Sequence, residues 1–404
     1  VTRPAPPDTD RILIAGAGPV GLVSAIRLAE AGIPCTVLEA ADAPHEDLRA
    51  STWHPPTLDM LAPYGLADRL VDSGLVTPTW QIRMHRTGER AEFDLGILAD
   101  VTGHPFRLQC EQHKFVRMAL DWLEAHGGVE MRFDAPVVGV HQDADGVVVD
   151  LGGAHTGERL AGRWLIGADG AKSAVREALG LSLSGATYPE TTILATTRFP
   201  FHEHLEGLSN VNYIWSDVST FSLLRLPGIW RCSLHQDAGE SVEDALKPEA
   251  IERKLQRIVA RPEPYAVEEV RPYRIHRRIV DRYRVGRVLL AGDAAHLNSP
   301  SGGMGMNGGI HDAFNLTEKL IRVWRGEAEE ALLDRYERQR RPIAEEEILA
   351  QADRNRGRMQ ERDPERRLSI LRDLQATIAD PAKARAYLLR SSMIEGLNRA
   401  AAIQ

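Results

Sequence analysis

Apolar residues in the first forty positions follow two different rhythms. Arg11–Ala15 is a short apolar run that reads as a strand. From Leu22 through Ala25, Ile26, Leu28 and Ala29 the apolar positions recur at the three- and four-residue spacing of a helix. Gly32 ends that helix, and Ile33–Leu38 forms a second short apolar strand that closes on Glu39. Between the first strand and the helix lies Gly16-Ala17-Gly18-Pro19-Val20-Gly21. Strand, helix and strand in this order make a βαβ unit, which builds a parallel sheet through a right-handed crossover.

Strand signals return at Val129–Arg132, Trp164–Ile166 and Arg287–Leu290, and a helical pattern covers Leu108–Ala125. Val137–His141 and Val147–Leu151 flank Asp145-Gly146, a hairpin turn. From about Thr191 to Trp230 the chain is rich in β-type runs, with Val211–Trp215, Phe221–Leu226 and Ile229–Leu234 the clearest. One amphipathic helix is predicted near Val242–Val259. From about Gly309 onward the pattern is mostly helical, with Pro342 and Pro381 as breaks. The fold class that explains these alternations is α/β. A Rossmann-like dinucleotide-binding domain is assembled from 11–74, 106–184 and 276–345. A β-rich substrate domain is inserted as 75–105 and 185–275, and helices follow over 346–404. Residues 1–10 read as a flexible, Pro-rich lead-in without the apolar core of a signal peptide.

Composition narrows the function. Of 404 residues, 43% are hydrophobic and 26% charged, an ordinary globular balance that leaves out disordered and fibrous classes. The net charge of −8 argues against a general nucleic-acid or anionic-membrane binder. No apolar run approaches the roughly 20 residues of a membrane span. Cys35, Cys110 and Cys232 are too far apart for a disulfide framework or a metal site. They fit a reducing cytoplasm, as buried filler.

The glycine-rich turn carries the first chemistry. Gly16 permits a tight turn, Gly18 lets the backbone approach a pyrophosphate, and Gly21 allows close helix–strand packing. The helix start then presents unpaired N–H groups to the phosphates. Glu39 follows Gly21 by 18 residues, where a carboxylate accepts both hydroxyls of an adenosine ribose and repels a 2′-phosphate. This site suits FAD or NAD rather than NADP.

Two later segments repeat the strand-then-glycine-acid theme. One is Trp164-Leu-Ile-Gly-Ala-Asp169-Gly170. The other is Arg287-Val-Leu-Leu-Ala-Gly292-Asp293, followed by Pro300-Ser-Gly302-Gly303-Met-Gly305-Met306-Asn307. With these three motifs in order, the chain from Arg11 to about Pro342 resembles the single-component flavoprotein aromatic hydroxylases, the group typified by para-hydroxybenzoate hydroxylase. The tail Leu388–Ala400 is similar to the end of shorter members. The resemblance makes the nucleotide FAD and the first domain an FAD-binding domain. It implies that Asp293 bonds a ribityl hydroxyl. It also implies that the amides of the Gly302–Asn307 stretch, including Gly303, Gly305, Met306 and Asn307, face the flavin pyrimidine edge ahead of a helix at Gly309–Leu320. Asp169 is tied to both FAD and nicotinamide nucleotide, while Arg49 and Gln112 look like further FAD contacts. The segment His54-Pro55-Pro56-Thr57-Leu58-Asp59 departs from the family's usual sequence beside the flavin.

The resemblance implies an enzyme in which NADH or NADPH reduces FAD and O2 then forms a C4a-hydroperoxyflavin that hydroxylates a phenolic or heteroaromatic ring. No second GxGxxG serves the nicotinamide cofactor, and no Cys-x-x-Cys pair points to a disulfide reductase. The Trp-x-Trp-x-Ile-Pro segment of flavin halogenases is not matched by Tyr213-Ile-Trp215-Ser-Asp-Val. Pro300 is expected beside the flavin ring, its carbonyl orienting substrate. In the β-rich insert, Tyr213, Trp215, Leu224, Arg225, Trp230 and His235 are candidates for the substrate pocket. Arg225 either clamps a carboxylate or phenolate or lies on the surface, and His235 either relays a phenol proton or is solvated. The partners implied are a small aromatic substrate and O2, with no nucleic acid, metal or membrane span, and room for a homodimer. Two alternatives stay open: a related enzyme acting on a quinone precursor or a non-aromatic natural product, and a flavin-binding sensor without turnover.

Overall fold

The computed structural model describes residues 10–46, 49–237 and 239–404. All but Asp10 of the expected lead-in lies outside them. The βαβ opening is formed by the strand Ile12–Ala15, the helix Pro19–Glu30 and the strand Cys35–Leu38. Every residue of both strands is buried, as expected of a parallel sheet covered on both faces. Ile12–Ala15 pairs in parallel with Cys35–Leu38 on one side and Trp164–Gly167 on the other. The six-stranded sheet is completed by Val129–Arg132 at one end, and by Val288–Leu290 and then Arg284–Val285 at the other. Stretches far apart in sequence thus meet at the carboxyl ends of adjacent parallel strands, where α/β sheets place their ligands.

The eight-stranded sheet takes seven of its strands from the β-rich stretches and its edge strand, His296–Leu297, from the segment that carries Asp293. Its long members are Ser184–Thr197 and Val267–Ile279, which pair antiparallel over most of their length. The expected runs appear as Val211–Trp215, Thr220–Leu226 and Ile229–His235. Thr79–Met84 joins this sheet by a parallel pairing with Val211–Trp215. One face packs Phe221, Leu223, Trp230 and Cys232 against the helices at 242–256. Trp80, Phe93 and Trp215 instead pack against Leu371, Leu374 and Leu388 from the C-terminal helices. Each fully buried leucine contributes about 2 kcal/mol, so these contacts hold the C-terminal helices firmly on the sheet.

Four expectations about elements are corrected. Leu108 belongs to a strand, Arg107–Gln109, inserted between Thr52–Trp53 and Leu75–Thr77, and the helix starts at Gln112. Three strand residues are too few to show a period of their own. The single helix expected over Val242–Val259 is two, Val242–Ala245 and Pro248–Gln256, because Pro248 starts a new helix more readily than it continues one. The late helix begins at Met304, not Gly309, and runs to Trp324. Pro342 does not end a helix: Asp334–Ile343 runs through it and widens into a π-turn at Ala344–Leu349 before Ala350–Gln360. A proline removes one helix bond without requiring a break, and the wider turn begins just after it. Pro381 does start a separate helix, Pro381–Ser391.

Candidate active site

The glycine turn is set by backbone contact. Gly16 has φ +99°, and a Cβ there would lie 2.5 Å from the Ala168 carbonyl oxygen. At Gly21 a Cβ would lie 1.9 Å from the Gly16 oxygen, so the helix can begin directly on the turn. Gly18 is different, because a Cβ there would meet nothing within 4 Å. Its surface is open, as the approach of a bulky anion requires. Gly18 caps the helix without a side-chain bond, and the first turn holds no acidic residue, leaving its amides and their partial positive charge free for a ligand. Glu39 stands beside this turn. Its carboxylate accepts from the Ala17 amide at 2.6 Å and from the Ala41 amide at 3.0 Å. Asp169 reaches the same corner, where its carboxylate accepts from Ser173 Oγ at 2.5 Å and from the Val175 amide at 3.1 Å. Burial raises the Asp169 pKa, against those bonds.

Asp293 follows the strand Val288–Leu290 and sits in a short 3-10 turn, Gly292–Ala294. Its side chain is exposed. The surrounding protein raises its pKa, against the opposing pull of His296 and Arg49. Tyr273 is in the same position: 41% exposed, with its pKa raised first by desolvation and then by Asp293, and lowered by Arg231 and Arg49. Asp293, Tyr273, Arg231 and Arg49 therefore lie within electrostatic reach of one another, Tyr273 and Arg231 on the eight-stranded sheet and Asp293 past the end of the six-stranded one. Arg231 donates to the Arg49 carbonyl at 2.8 Å and ties the loop to the eight-stranded sheet. Gln112 stands at the helix start facing this loop, its backbone amide donating to the Ala50 carbonyl at 2.9 Å.

The Asp293 turn has a buried foundation. Asp312 accepts from Arg340 Nε at 2.7 Å and from the Gly292 amide at 3.2 Å, and lies 2.8 Å from His296 Nε2. All three side chains are at most 1% exposed. Burial raises the Asp312 pKa, but Arg340 and His296 outweigh it and the net shift is downward. Asp312 therefore holds the turn, His296 and Arg340 hold Asp312, and pattern reading did not single out Asp312 or Arg340.

The second glycine bend, Pro300 to Gly303, closes with the Gly303 amide donating to the Pro300 carbonyl at 3.0 Å. Gly303, with φ +68°, caps the helix that carries Met304, Gly305, Met306 and Asn307 in its first turns. The bend is clamped from a distance. Asn307 donates to the Thr52 carbonyl at 2.8 Å and to the Gly303 carbonyl at 2.7 Å, and accepts from the His54 amide at 2.9 Å. His54 Nε2 donates to the Gly302 carbonyl at 2.8 Å, leaving Nδ1 buried without a partner. Burial first, then the charge of Arg107, pushes the His54 pKa down to about 3, so the ring is neutral. The Asn307 side chain is thus engaged with protein rather than aimed at a ligand.

Beside the bend lies a small, partly open pocket. Gly302 and Met304 form one wall, while Trp80, Ile82, Arg107 and Tyr213 come from strands. Asn355, Arg358, Met359, Tyr387 and Ser391 roof it from the C-terminal helices. Trp80, Phe93 and Tyr387 stack at 4.6 and 4.5 Å between successive ring centroids. Of the expected pocket residues only Tyr213 faces this space. Trp215 is buried nearby, its indole donating to the Arg358 carbonyl at 3.1 Å. Leu224 packs at the edge of the same apolar cluster. Arg225 lies over the Trp230 ring at 5.9 Å, and Trp230 belongs to the cluster under the helices at 242–256. His235 is enclosed near Glu190 and Arg362, its pKa pushed down to about 4 by burial. The structure therefore does not gather Trp215, Leu224, Arg225, Trp230 and His235 around the cavity with Tyr213. Strand alternation separated faces but did not say which face the cavity uses. Arg107, Trp80, Arg358 and Tyr387 were missed; the period-two run Trp80, Ile82, Met84 was the one signal present.

All three cysteines are buried and free, and burial pushes Cys35 and Cys110 up to about 12. Among the described residues no group of three or more His, Cys, Asp or Glu is arranged to hold a metal, and no helix is long and apolar enough to cross a membrane.

Comparison with known proteins places this geometry. A family model described as FAD binding domain matches residues 9–351. The 6-hydroxy-3-succinoylpyridine 3-monooxygenase HspB of Pseudomonas putida (strain DSM 28022 / S16) is 37% identical over 334 residues, 82% of this chain and 84% of that protein. Para-nitrophenol 4-monooxygenase of Pseudomonas sp. (strain WBC-3) is 33% identical over 393 residues, 96% of each. The crystal structure of p-nitrophenol 4-monooxygenase PnpA from Pseudomonas putida DLL-E4 superposes with a TM-score of 0.90 at 31% identity, covering 96% of this chain and 98% of that one.

Proposed function

The chain belongs to the FAD-binding family of flavoprotein aromatic hydroxylases, and on that footing we propose that it hydroxylates a small phenolic or heteroaromatic ring with O2, drawing electrons from NADH or NADPH. The observation that carries this reading is a succession of three features: the open face of Gly18, the exposed Asp293, and the aromatic cavity beside Gly302. The residues fit FAD. Gly18 and the following helix start would hold the pyrophosphate, Glu39 the adenosine ribose, and Asp293 the ribityl chain. Arg49 and Gln112 flank the middle. When bound, the flavin supplies the two-electron chemistry that activates O2 for oxygen insertion.

The chain itself orients the ring and excludes water. Trp80, Tyr387 and Met359 wall the cavity with apolar surface, which suppresses unproductive loss of the reducing equivalents. The bend at Gly302–Gly303, fixed by Asn307 and His54, would form the wall between the cavity and a bound cofactor. A flavin-binding sensor needs the nucleotide cleft alone; the walled cavity beyond it favours turnover. NADH or NADPH is taken as a transient reductant, since Gly16–Gly21 is the one GxGxxG set between the strand and helix of the βαβ opening, while Gly303–Gly308 belongs to the second bend. The buried free cysteines accord with a reducing cytoplasm.

The test is direct. Purified protein is expected to be yellow, to release FAD on denaturation, and to oxidise NADH or NADPH faster when an aromatic substrate is added, with a product heavier by one oxygen. A flavin-loaded protein whose NAD(P)H oxidation no phenol or hydroxypyridine stimulates would point to the sensor.

A further inference from the structure

A second cavity, of about 380 Å³, opens where the helices Pro19–Glu30, Met304–Trp324, Asp334–Ile343 and Ile394–Ala402 meet. Lys319, in its wall, stands about 22 Å along the helix axis from Met304 at the ring pocket. Four cationic side chains line this cavity, Arg27, Lys319, Arg322 and Arg335, against one carboxylate, Glu318. Lys319 is 3% exposed. Its Nζ donates to the Asn315 carbonyl at 3.1 Å and to Asn315 Oδ1 at 2.9 Å, while the Glu318 carboxylate stays at 3.7 Å. Burial pushes the Lys319 pKa down to about 8, with Glu318 opposing the shift and Arg335 adding to it. Arg27 donates to Thr317 Oγ1 at 2.8 Å and to the Tyr64 hydroxyl at 3.0 Å, and lies over the Phe314 ring at 4.5 Å. Arg335 donates from Nε to the Ile403 carbonyl at 3.1 Å. None of the three arginines forms an ion pair among the described residues. Elsewhere the protein matches such charges: Lys254, 5% exposed, has Glu240 at 2.6 Å. Met60, Phe314, Leu332 and Leu397 add apolar surface to the same cavity.

We propose that this cavity is a second ligand site that takes a phosphate monoester, its phosphate held among Lys319, Arg322 and Arg335 and its apolar body laid against Phe314, Met60 and Leu397. Cations crowded together without counter-charges repel one another, and a bound anion relieves that cost. The surplus of positive charge is larger than one carboxylate cancels, and a phosphate dianion comes closer to it. Three terminal phosphate oxygens also accept from donors on separate elements, here the helices Met304–Trp324 and Asp334–Ile343, where a carboxylate offers two. Lys319 keeps one ammonium hydrogen beyond the two given to Asn315, and Arg335 keeps both ends of its guanidinium fork. The apolar side chains of the wall favour an organic monoester over free phosphate. None of these residues lines the ring pocket, so the site stands apart from the hydroxylation proposed above.

The experiment is calorimetric titration of the flavin-loaded protein, in phosphate-free buffer at about pH 7, with phenyl phosphate, inorganic phosphate and benzoate. Bound FAD keeps the probes out of the pyrophosphate site. Phenyl phosphate is expected to bind about tenfold more tightly than either of the others. Lys319→Met is expected to weaken phenyl phosphate binding about 30-fold. Arg322→Met removes an exposed cation, so the fold is kept, and is expected to weaken it about tenfold. Where Lys319→Met fails to fold, Arg322→Met decides alone. Phenyl phosphate that does not bind, that binds no more tightly than inorganic phosphate, or whose affinity the variants leave untouched overturns the proposal. So does benzoate that matches phenyl phosphate and weakens alongside it in Arg322→Met, the mark of a carboxylate site.

Discussion

The two glycine bends of this molecule are built on opposite plans. The first, Gly16 to Gly21, is closed by its own backbone and by the neighbouring strand end at Ala168. Its requirements are steric and local. The second, Pro300 to Gly303, is held by the side chains of His54, from a remote stretch, and Asn307, from the helix that follows and itself bonded to the Thr52 carbonyl. Its requirements are polar and distributed. The first bend admits no Cβ at Gly16 or Gly21 and takes one side-chain bond, from the Ala17 amide to Glu39, while the clamped bend depends on every group that holds it. The nucleotide end is therefore expected to be rigid under all conditions in which the protein is folded. The ring end is expected to respond to conditions that change the charge of its clamp.

The largest expected effect is at the first bend. Gly16→Ala places a Cβ against the Ala168 carbonyl at a φ that alanine rarely adopts, and is expected to destabilise the protein by on the order of 4 kcal/mol. Chemical denaturation of the apoprotein reads this, and an unchanged midpoint would remove the steric account of the turn. The next effect distinguishes the bends by pH. His54 is neutral when folded, with its pKa near 3, and ordinary when unfolded. Above about pH 6.5 both states are neutral and stability is full. As pH falls from there the unfolded chain takes a proton that the folded protein refuses, so stability is lost until the folded pKa is reached. About 3 kcal/mol is expected to go between about pH 7 and pH 4 on this account. His54→Gln keeps a donor for the Gly302 carbonyl and does not titrate, so it should flatten that part of the profile; an identical slope in the variant would locate the acid sensitivity elsewhere. The smallest effect is Gly18→Ala. Its Cβ meets no protein atom, so the denaturation midpoint should hold while FAD affinity drops about tenfold, or about 1.4 kcal/mol. Loss of stability together with flavin binding would show that Gly18 belongs to the same steric plan as Gly16.

The same contrast explains what could be read before the structure. The βαβ opening, Glu39 and the three glycine-acid motifs depend on residues close in sequence, and their spacing carries the geometry. Arg107 lay in a stretch assigned to the approach of a helix, because a three-residue strand between two others has no rhythm to detect. Tyr387 and Arg358 sat in a region read only as helical, and a helical pattern does not say which surface a helix packs on. Arg225 looked like the natural clamp for an anion because it alternates with apolar neighbours. The structure turns it toward Trp230, on the side of the sheet covered by the helices at 242–256. Alternation gives two faces, and only the neighbouring layer decides which of them meets a ligand. Asp312 and Arg340, which sustain the Asp293 turn, are 28 residues apart on different helices and carry no joint signature.

The roof of the cavity comes from Asn355, Arg358, Met359 and Tyr387, all beyond the last residue matched by the FAD binding domain. On the ribosome, every strand of the nucleotide sheet has been synthesised before any of these side chains exists. A nascent chain can thus acquire its cofactor scaffold while its reaction chamber is still uncovered, and chain completion becomes the step that seals it. Early termination after that sheet would leave an uncapped flavoprotein, prone to leak electrons to oxygen as peroxide.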